Sequence, residues 1–344
     1  MAKPPLNVVW CNPPAYLWEE DWIRSILTGF ELAEFHAPQL DCYPDGALFV
    51  ISSNFHPLRD AHARMRGPLA SVKGKGLFHL SDEWYSGGYE FYREFDFALR
   101  NHHSSIFRNK GILTLPLGLT NGAKNTSHIT PASQRPYIWT FAGTRTATRM
   151  QMYGAFESLR PSLAYWYDLR RQERPPLDRR EFKKLLSQTI FQPCPMGNVM
   201  LETFRVYEAL EMGCIPLIEQ RTWMPYYDRL LPDHPLPSFT QWQAARTFVE
   251  TYRDKPEELD RLQQRVHGWW QQTKTGLSDE VSNFITAGLN GAFTKDLSQD
   301  WQSRSGMGHQ LWRLQELVRH GNRASLTERA GIMARRLISA TRSA

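Results

Sequence analysis

Residues 191–218 of the 344-residue chain read FQPCPMGNVMLETFRVYEALEMGCIPLI, and this stretch decides the fold class. An apolar run at 189–192 predicts a buried strand, and a loop with proline and glycine follows it. Apolar side chains then recur at helical spacing over 203–212, and 214–218 is a second apolar run. Gly213 stands where the helix ends, because glycine adopts positive φ at no steric cost. This order of elements predicts a parallel sheet covered by helices.

Two charged side chains, Arg205 and Glu208, project from one face of the predicted helix. In an open α/β sheet, ligands bind at the carboxyl ends of the strands, against helix N-termini whose free N–H groups favour anions. Arg205 could therefore donate two hydrogen bonds to a diphosphate, and Glu208 could accept hydrogen bonds from ribose hydroxyls. The alternative is an ordinary Arg–Glu pair on a solvated helix face.

The helix and the strand after it resemble the donor-binding motif of the exostosin-like glycosyltransferases. In that family an Arg-x-x-Glu-Ala-Leu helix precedes a Gly-Cys-Ile-Pro-Val-Ile strand, and this chain has RVYEAL at 205–210 and GCIPLI at 213–218. The preceding segment 191–197, with Pro193 and Gly197, is similar to the strand and proline-glycine loop of the same family. The resemblance implies a bacterial member of this family.

A second segment with a family likeness lies upstream. Residues 137–145 read YIWTFAGTR and are followed by Arg149, which is similar to the Phe-x-Gly strand and following arginine of the family. Gly143 ends the predicted strand where a ligand can approach closely, and Arg145 and Arg149 lie one helical turn apart. Both arginines could face a diphosphate, or they could be ordinary surface residues beside a turn.

The resemblance implies that this part of the chain binds a nucleotide sugar, most simply a UDP-sugar. The donor-binding residues that follow from it are Gly143, Arg145, Arg149, Pro193, Gly197, Arg205 and Glu208.

The fold class implied is α/β, with two Rossmann-like domains facing a cleft (the GT-B type) and C-terminal helices. The first third of the chain agrees, since short β-branched or aromatic runs alternate there with helical stretches. A polar, proline-containing stretch at 127–136 predicts a linker. We therefore expect an acceptor-side domain over 1–126, a nucleotide-sugar-binding domain over 137–295 and a basic helical tail over 296–344.

Two carboxylates follow the predicted strand at 77–80. Asp82 or Glu83 could be the base that takes the proton of the acceptor hydroxyl, and His79 is a lesser candidate. The alternative for Asp82 is a turn or a helix cap. The family resemblance implies an inverting reaction, hence direct displacement without a covalent intermediate.

No metal or cofactor is expected beyond the donor itself. The sequence contains no Asp-x-Asp motif, with which glycosyltransferases of the other common fold hold a divalent ion. In the two-domain α/β arrangement, basic side chains and helix dipoles stabilise the leaving diphosphate instead. The sequence thus predicts metal-independent transfer.

Composition excludes several other classes of protein. The chain is 41% hydrophobic and 22% charged with 12 tryptophans, which excludes a disordered chain. It has no apolar run of the ~20 residues that cross a bilayer and no secretory leader pattern, so we expect a cytoplasmic protein. Four cysteines without Cys-x-x-Cys spacing suggest neither disulfides nor a zinc site.

Basic charge is concentrated at the C-terminus. Residues 301–344 contain eight arginines and two glutamates, which equals the whole net charge of +6. A nucleic-acid enzyme would carry basic residues through its main body, so no nucleic-acid partner is expected. Residues 323–341 predict an amphipathic basic helix, which could lie on an anionic membrane surface or pack back on the first domain.

Together these patterns predict a glycosyltransferase of hexose or pentose. It would move a sugar from a nucleotide diphosphate to a hydroxyl of a glycan or lipid-linked glycan, in surface polysaccharide synthesis and at most peripherally on the inner membrane. The alternative is a non-catalytic glycan- or nucleotide-binding protein of the same fold.

Overall fold

The computed structural model describes residues 2–53, 58–85, 87–125, 127–167, 174–293, 297 and 307–321. The chain divides into two compact units, each built on its own sheet. The first unit comprises residues 1–122 and 271–314, and the second comprises 123–270 and 315–344. The chain therefore leaves the first unit after residue 122, returns to it at residue 271 and leaves it again after residue 314.

A six-stranded parallel sheet forms the first unit. Its strands are β1 (Pro5–Trp10), β2 (Glu31–His36), β3 (Ala47–Ser52), β4 (Lys75–Leu80), β5 (Phe97–Arg100) and β6 (Ile112–Thr114), in the order β2-β1-β3-β4-β5-β6. Helices α1 (Glu20–Ile26) and α2 (Leu58–Leu69) connect them. Strand β3 is buried throughout, as expected for a parallel sheet covered on both faces. The strand order reverses between β1 and β3, which makes this point the topological switch.

A five-stranded parallel sheet forms the second unit. Its strands are β7 (Tyr137–Gly143), β8 (Ser162–Trp166), β9 (Thr189–Cys194), β10 (Ile215–Glu219) and β11 (Ser238–Phe239), in the order β11-β10-β9-β7-β8. Its helices are α3 (Ala147–Phe156), α4 (Arg179–Ser187), α5 (Phe204–Glu211), α6 (Tyr226–Leu230) and α7 (Trp242–Thr251). Here the switch point lies between β7 and β9.

The predicted fold class, with two α/β halves and C-terminal helices, is confirmed. The C-terminal helices are α8 (Pro256–Leu289) and α9 (Met307–His320). Gly213 ends α5 with φ of 66°, as its position predicted. The predicted helix over 323–341 lies outside the described residues, and no described helix is long and apolar enough to cross a bilayer.

Three local features differ from the sequence-based prediction. Strand β2 was not predicted, because it is an edge strand that begins with the exposed Glu31 and whose apolar pattern is interrupted by the exposed Glu34. Thr240 with Gln243 three positions later predicts a capping box, and this prediction is wrong, since α7 has Gln241 as N-cap with no side-chain hydrogen bond. A complete capping box instead starts α4, where Asp178 and Glu181 each bond the backbone N–H of the other.

The 34-residue helix α8 explains why the two units divide the chain differently from the predicted domains. Residues 137–295 were assigned to one domain, whereas residues 271–314 group with the first unit. Ser278 in this part of α8 bonds Thr28 through their hydroxyls, at 2.9 Å. Helical periodicity shows that a helix has an apolar face, but not which sheet that face covers.

Close packing near the end of α8 fixes it against the first sheet. A Cβ atom at Gly288 would lie 2.2 Å from the Phe97 ring, and a Cβ atom at Gly76 of β4 would lie 2.3 Å from the same ring. The Phe97 side chain is fully buried, so it has little room to move away. Both glycines are therefore needed for this contact.

We expect Gly288→Ala to lower the free energy of unfolding by about 1–3 kcal/mol, because the added methyl group overpacks the Phe97 contact. Gly276→Ala, in the same helix at a position with open space around the Cβ, should leave stability unchanged or raise it by up to about 1 kcal/mol. Urea denaturation of both variants measures the difference. Equal effects would show that the ring does not restrict position 288.

Candidate active site

The carboxyl ends of β7 and β9 flank the switch point of the second sheet, and Arg205 connects them. Arg205 lies in the first turn of α5, which follows β9. Its Nη2 donates a hydrogen bond to the carbonyl of Ala142, near the end of β7, at 2.8 Å. Its guanidinium carbon lies 4.5 Å from the centroid of the Phe141 ring. Arg205 thus belongs to the helix after β9, and contacts with β7 orient its guanidinium group.

Gly143 leaves the space that Arg205 occupies. A Cβ atom at this position would lie 2.9 Å from the Phe141 ring and 3.2 Å from Nη2 of Arg205. Any larger residue would push against the guanidinium or the ring. The structure therefore brings together two of the predicted donor-binding residues.

Glu208, one turn further along α5, pairs with an arginine that the sequence did not single out. Its Oε1 lies 2.9 Å from Nη1 of Arg179, the first residue of α4. The Glu208 side chain is 9% exposed and that of Arg179 is 42% exposed. The two residues are 29 positions apart, so periodicity could not reveal the pair.

A cavity of about 290 Å³ opens beside this ion pair. Its lining residues combine charged and apolar side chains and are Ala142, Tyr167, Pro176, Leu177, Asp178, Arg179, Phe182, Arg205 and Glu208. Its volume is near the lower end of the ~300–1,000 Å³ typical of small-molecule pockets. The cavity thus joins the two predicted residues of α5 in one concave site.

Two threonines at helix N-termini add hydrogen-bonding groups near the switch point. Thr146 is the N-cap residue of α3 and Thr203 is that of α5, yet neither side chain caps its helix. Both hydroxyls and Nε of Arg205 are buried and have no hydrogen-bond partner in the described part of the chain. Unsatisfied buried donors are costly, which favours a ligand that completes them. A threonine just before a predicted helix indicates an N-cap position, so both residues could have been found from the sequence.

The other predicted arginines have different surroundings. Arg149 is buried, and its Nη1 donates to the hydroxyl of Thr144 at 2.7 Å and to the carbonyl of the same residue. Arg145 is exposed, with its guanidinium carbon 5.8 Å from the centroid of the Trp166 ring. Arg149 therefore braces the loop after β7, whereas Arg145 is open to solvent.

Pro193 and Gly197 belong to β9 and the loop after it. Pro193 is buried within the strand, and the backbone N–H of Gly197 donates to the carbonyl of Met200 at 2.8 Å. A Cβ atom at Gly197 would make contacts of 3.5 Å or more, so this position does not require glycine on packing grounds. Both assignments as donor-binding residues stay predictions.

The predicted catalytic carboxylates follow β4 in the first unit. Asp82 is buried and forms an ion pair with Nη2 of Arg100 at 3.3 Å, and the same oxygen accepts a hydrogen bond from the Tyr89 hydroxyl. Glu83 is half-buried. The assignment of either residue as base stays a prediction.

His79 lies in β4 next to this ion pair. Its Nε2 is 2.7 Å from the Ser53 hydroxyl and its Nδ1 is 2.8 Å from the Tyr92 hydroxyl. Burial lowers the pKa of His79 to about 4, while the charge of Asp82 opposes this shift and the charge of Arg100 adds to it. The imidazole is therefore neutral at pH 7.

A third carboxyl group, Glu19, was not predicted. It lies in the connection between β1 and α1 and is 1% exposed. Its Oε1 accepts a hydrogen bond from the Ser81 hydroxyl at 3.0 Å, and its Oε2 accepts one from the backbone N–H of Trp18 at 3.1 Å. Burial raises the pKa of Glu19 to about 7. In the sequence Glu19 is one of three consecutive acidic residues, which looks like an ordinary helix start.

Backbone strain is concentrated at the same edge of the first sheet. Ser81, Tyr85 and His102 have φ values of 57°, 47° and 64°. All three follow the carboxyl ends of β4 or β5, and the N–H of Ser81 donates to Oδ1 of Asn101 at 2.9 Å. Non-glycine residues in this conformation cost free energy and cluster at functional sites. The strained backbone therefore makes this edge a second candidate functional region.

No metal-binding site stands out among the residues that the structure describes. Within those residues, no group of three or more His, Cys, Asp or Glu side chains is arranged to hold a metal ion. The expectation that transfer needs no metal stays a prediction.

The raised pKa of Glu19 makes stability depend on pH. The folded chain binds this proton up to about pH 7, whereas the unfolded chain releases it near 4.5, so the Glu19 contribution to stability falls as pH rises between these values. Glu19→Gln should remove this loss, measured by urea denaturation at pH 5 and pH 7.5. Glu20→Gln, at the neighbouring helix position, should keep the wild-type pH dependence. A wild-type dependence in Glu19→Gln would contradict the raised pKa.

Two curated proteins named as xylosyltransferases match part of this chain. Ribitol-5-phosphate xylosyltransferase 1 of Mus musculus is 23% identical over 238 residues, which are 61% of this chain and 52% of the mouse protein. The human protein of the same name is 24% identical over 170 residues, 44% of this chain and 38% of its own length. The chain thus spans about half or less of the curated relatives it matches.

Solved structures of low sequence identity superpose on most of the chain. An α1,3-fucosyltransferase gives a TM-score of 0.49 at 13% identity and covers 85% of this chain and 93% of its own. The T4 phage BGT in complex with UDP and Mn²⁺ gives a TM-score of 0.49 at 10% identity, with 82% and 99% covered.

The family model that matches is the RXYLT1 C-terminal domain, over residues 121–297. It does not carry the exostosin name, so the exostosin-like label and a bacterial origin stay predictions. The match includes the β7 and β9 ends, Arg205 and the cavity beside α5. Because it spans more than half of the sequence, the chain belongs to the RXYLT1 C-terminal domain family.

Proposed function

We propose that this chain is a glycosyltransferase that moves xylose from UDP-xylose to a hydroxyl of a polyol phosphate such as ribitol 5-phosphate. The observation that carries the proposal is the position of Arg205, which extends from the helix after β9 to the carbonyl of Ala142 across the switch point. Ligands of open α/β sheets bind at this point. The sugar and the acceptor come from the name of the mouse and human relatives.

The diphosphate of the donor would lie at the N-termini of α3 and α5. Helix N-termini favour anions, and the buried hydroxyls of Thr146 and Thr203 lack partners within the described residues. The guanidinium of Arg205 would supply the positive charge that a leaving nucleoside diphosphate needs as its bond to the sugar breaks. These groups would stabilise the leaving diphosphate without a metal ion, in line with the metal-independent displacement that we propose.

The nucleoside would occupy the cavity beside α5. Glu208 lies at its wall and presents a carboxylate that can accept hydrogen bonds from two ribose hydroxyls. Tyr167 and Phe182 provide aromatic surface against which a base can stack. Arg179 holds Glu208 in place through their ion pair. The cavity thus offers a polar contact for the ribose and an apolar one for the base.

The biological setting, the cellular location and the membrane contact are part of the same proposal. Polysaccharide synthesis would be the setting, because a polyol phosphate is a unit of phosphate-linked glycans. The cytoplasmic location and the contact of the basic tail with an anionic membrane surface are proposed from the sequence alone.

UDP-xylose should raise the melting temperature of the wild-type chain, since a ligand that binds only the folded state stabilises it by mass action. Arg205→Ala should weaken UDP-xylose binding by about 10–100-fold, because a charge-assisted hydrogen bond is worth about 1.5–3 kcal/mol. Isothermal titration calorimetry measures the loss. Arg253→Ala, at an exposed arginine of the same unit, should bind as the wild type does.

A wild-type affinity in Arg205→Ala would contradict the placement of the diphosphate. Binding of UDP-xylose without transfer to ribitol 5-phosphate and without donor hydrolysis would favour the non-catalytic alternative. Chelator should not change either measurement if transfer is metal-independent.

A further inference from the structure

The solvent-facing side of α9 carries an apolar stripe. Leu311, Leu314 and Val318 lie at positions i, i+3 and i+7 of this helix, and they are 56%, 49% and 44% exposed. Residues at this spacing share one face of an α-helix. The opposite face is packed, since Trp312 and Leu317 are buried. The stripe is therefore the outer surface of a helix whose other side is anchored.

Trp223 extends this stripe. It lies in the loop after β10 and is 60% exposed, and its Nε1 donates a hydrogen bond to the carbonyl of Arg319 at 3.1 Å. Arg319 follows Val318 directly, so the indole N–H reaches the last turn of α9. Six large apolar side chains are exposed among the described residues, and four of them are found here. We call these four the α9 patch: Leu311, Leu314, Val318 and Trp223.

Charge around the patch is neutral to positive. Within the described helix α9, the one acidic residue is Glu316, whose side chain is 4% exposed and whose Oε1 lies 2.7 Å from Nη1 of Arg319. Residues 322–344 follow the helix in the sequence and contain five arginines and one glutamate. The helix therefore exposes no negative charge next to its apolar stripe, and an arginine-rich segment comes directly after it.

An anionic lipid surface matches both properties. Leucine, valine and tryptophan side chains favour the boundary between lipid headgroups and acyl chains, where the indole ring is half in apolar and half in polar surroundings. Arginines next to such side chains are attracted by the negative surface potential of anionic lipids. A second copy of the chain would bring the same arginines to the interface, and the like charges would oppose association. The chemistry therefore favours a membrane over self-association.

We propose that the α9 patch inserts into the interface of an anionic membrane while the arginines of residues 322–344 bind the lipid headgroups. The sequence predicts a membrane contact only for residues 323–341, whereas this proposal assigns the apolar part of the contact to α9 and Trp223. The contact does not depend on the proposed sugar transfer. It would hold the chain at a membrane surface by two additive interactions, apolar burial and charge attraction.

The test is flotation of the full chain with vesicles of phosphatidylcholine, with and without phosphatidylglycerol. The wild type should float with the anionic vesicles and stay behind with the neutral ones, because the arginines need anionic headgroups. Arg335→Gln combined with Arg336→Gln should weaken binding to the anionic vesicles by about 10–30-fold, since two of these charges are lost.

Leu314→Glu should weaken this binding by at least about tenfold, because it removes an apolar side chain from the patch and adds a negative charge. Met150→Glu is the matched control, since Met150 is an apolar residue of α3 that is 40% exposed and lies outside the patch. It should bind as the wild type does, and both variants should unfold at the wild-type temperature. Vesicles with brominated acyl chains should quench the fluorescence of the wild type more than that of Trp223→Phe.

Three results would overturn the proposal. Equal vesicle binding by the wild type and Leu314→Glu would assign the contact to the arginines alone. A wild type that binds no vesicles but forms a dimer in light scattering, which Leu314→Glu converts to a monomer, would assign the patch to a second copy. A monomer that binds no vesicles, and in which Leu314→Glu speeds tryptic cleavage of residues 322–344, would assign it to the chain's own tail. UDP-xylose binding is measured separately, so the proposed function can fail or hold independently.

Discussion

In a parallel sheet with both faces covered, the strand interiors are apolar and polar side chains gather at the strand ends, and this constraint organises the whole chain. Both sheets obey it. Strands such as β3 and β9 are buried throughout, while the charged and hydroxyl groups follow their carboxyl ends. In the second unit this edge carries Arg205 and two threonine hydroxyls that have no partner among the described residues, and in the first it carries the buried carboxyl groups.

Sequence reasoning found the residues that lie next to recognisable strands and helices. Arg205, Glu208 and Gly143 could be predicted because they stand at the end of a strand or in the helix that follows one. Arg179 and Glu19 could not, because their roles depend on partners 29 and 62 positions away. Contacts between distant segments are fixed by tertiary packing, about which local periodicity carries no information.

The two carboxyl groups of the first unit show how surroundings, rather than residue type, divide chemical roles. Asp82 shares a buried site with a guanidinium, and Glu19 shares one with a hydroxyl and backbone N–H groups. The first arrangement is an ion pair, whereas in the second burial raises the pKa of Glu19 to about 7, which favours reversible protonation near neutral pH. A sequence shows two acidic residues, whereas the fold determines which of them can exchange a proton.

The return of the chain through α8 has a consequence for how the protein can be dissected. Residues 271–314 complete the first unit although they follow the second in sequence, so neither unit is one continuous segment. A fragment that ends before Gly288 would leave Phe97 uncovered and expose an apolar patch on the first sheet. No single cut in the chain therefore separates two complete units. A fragment that contains either sheet alone would have an incomplete hydrophobic core.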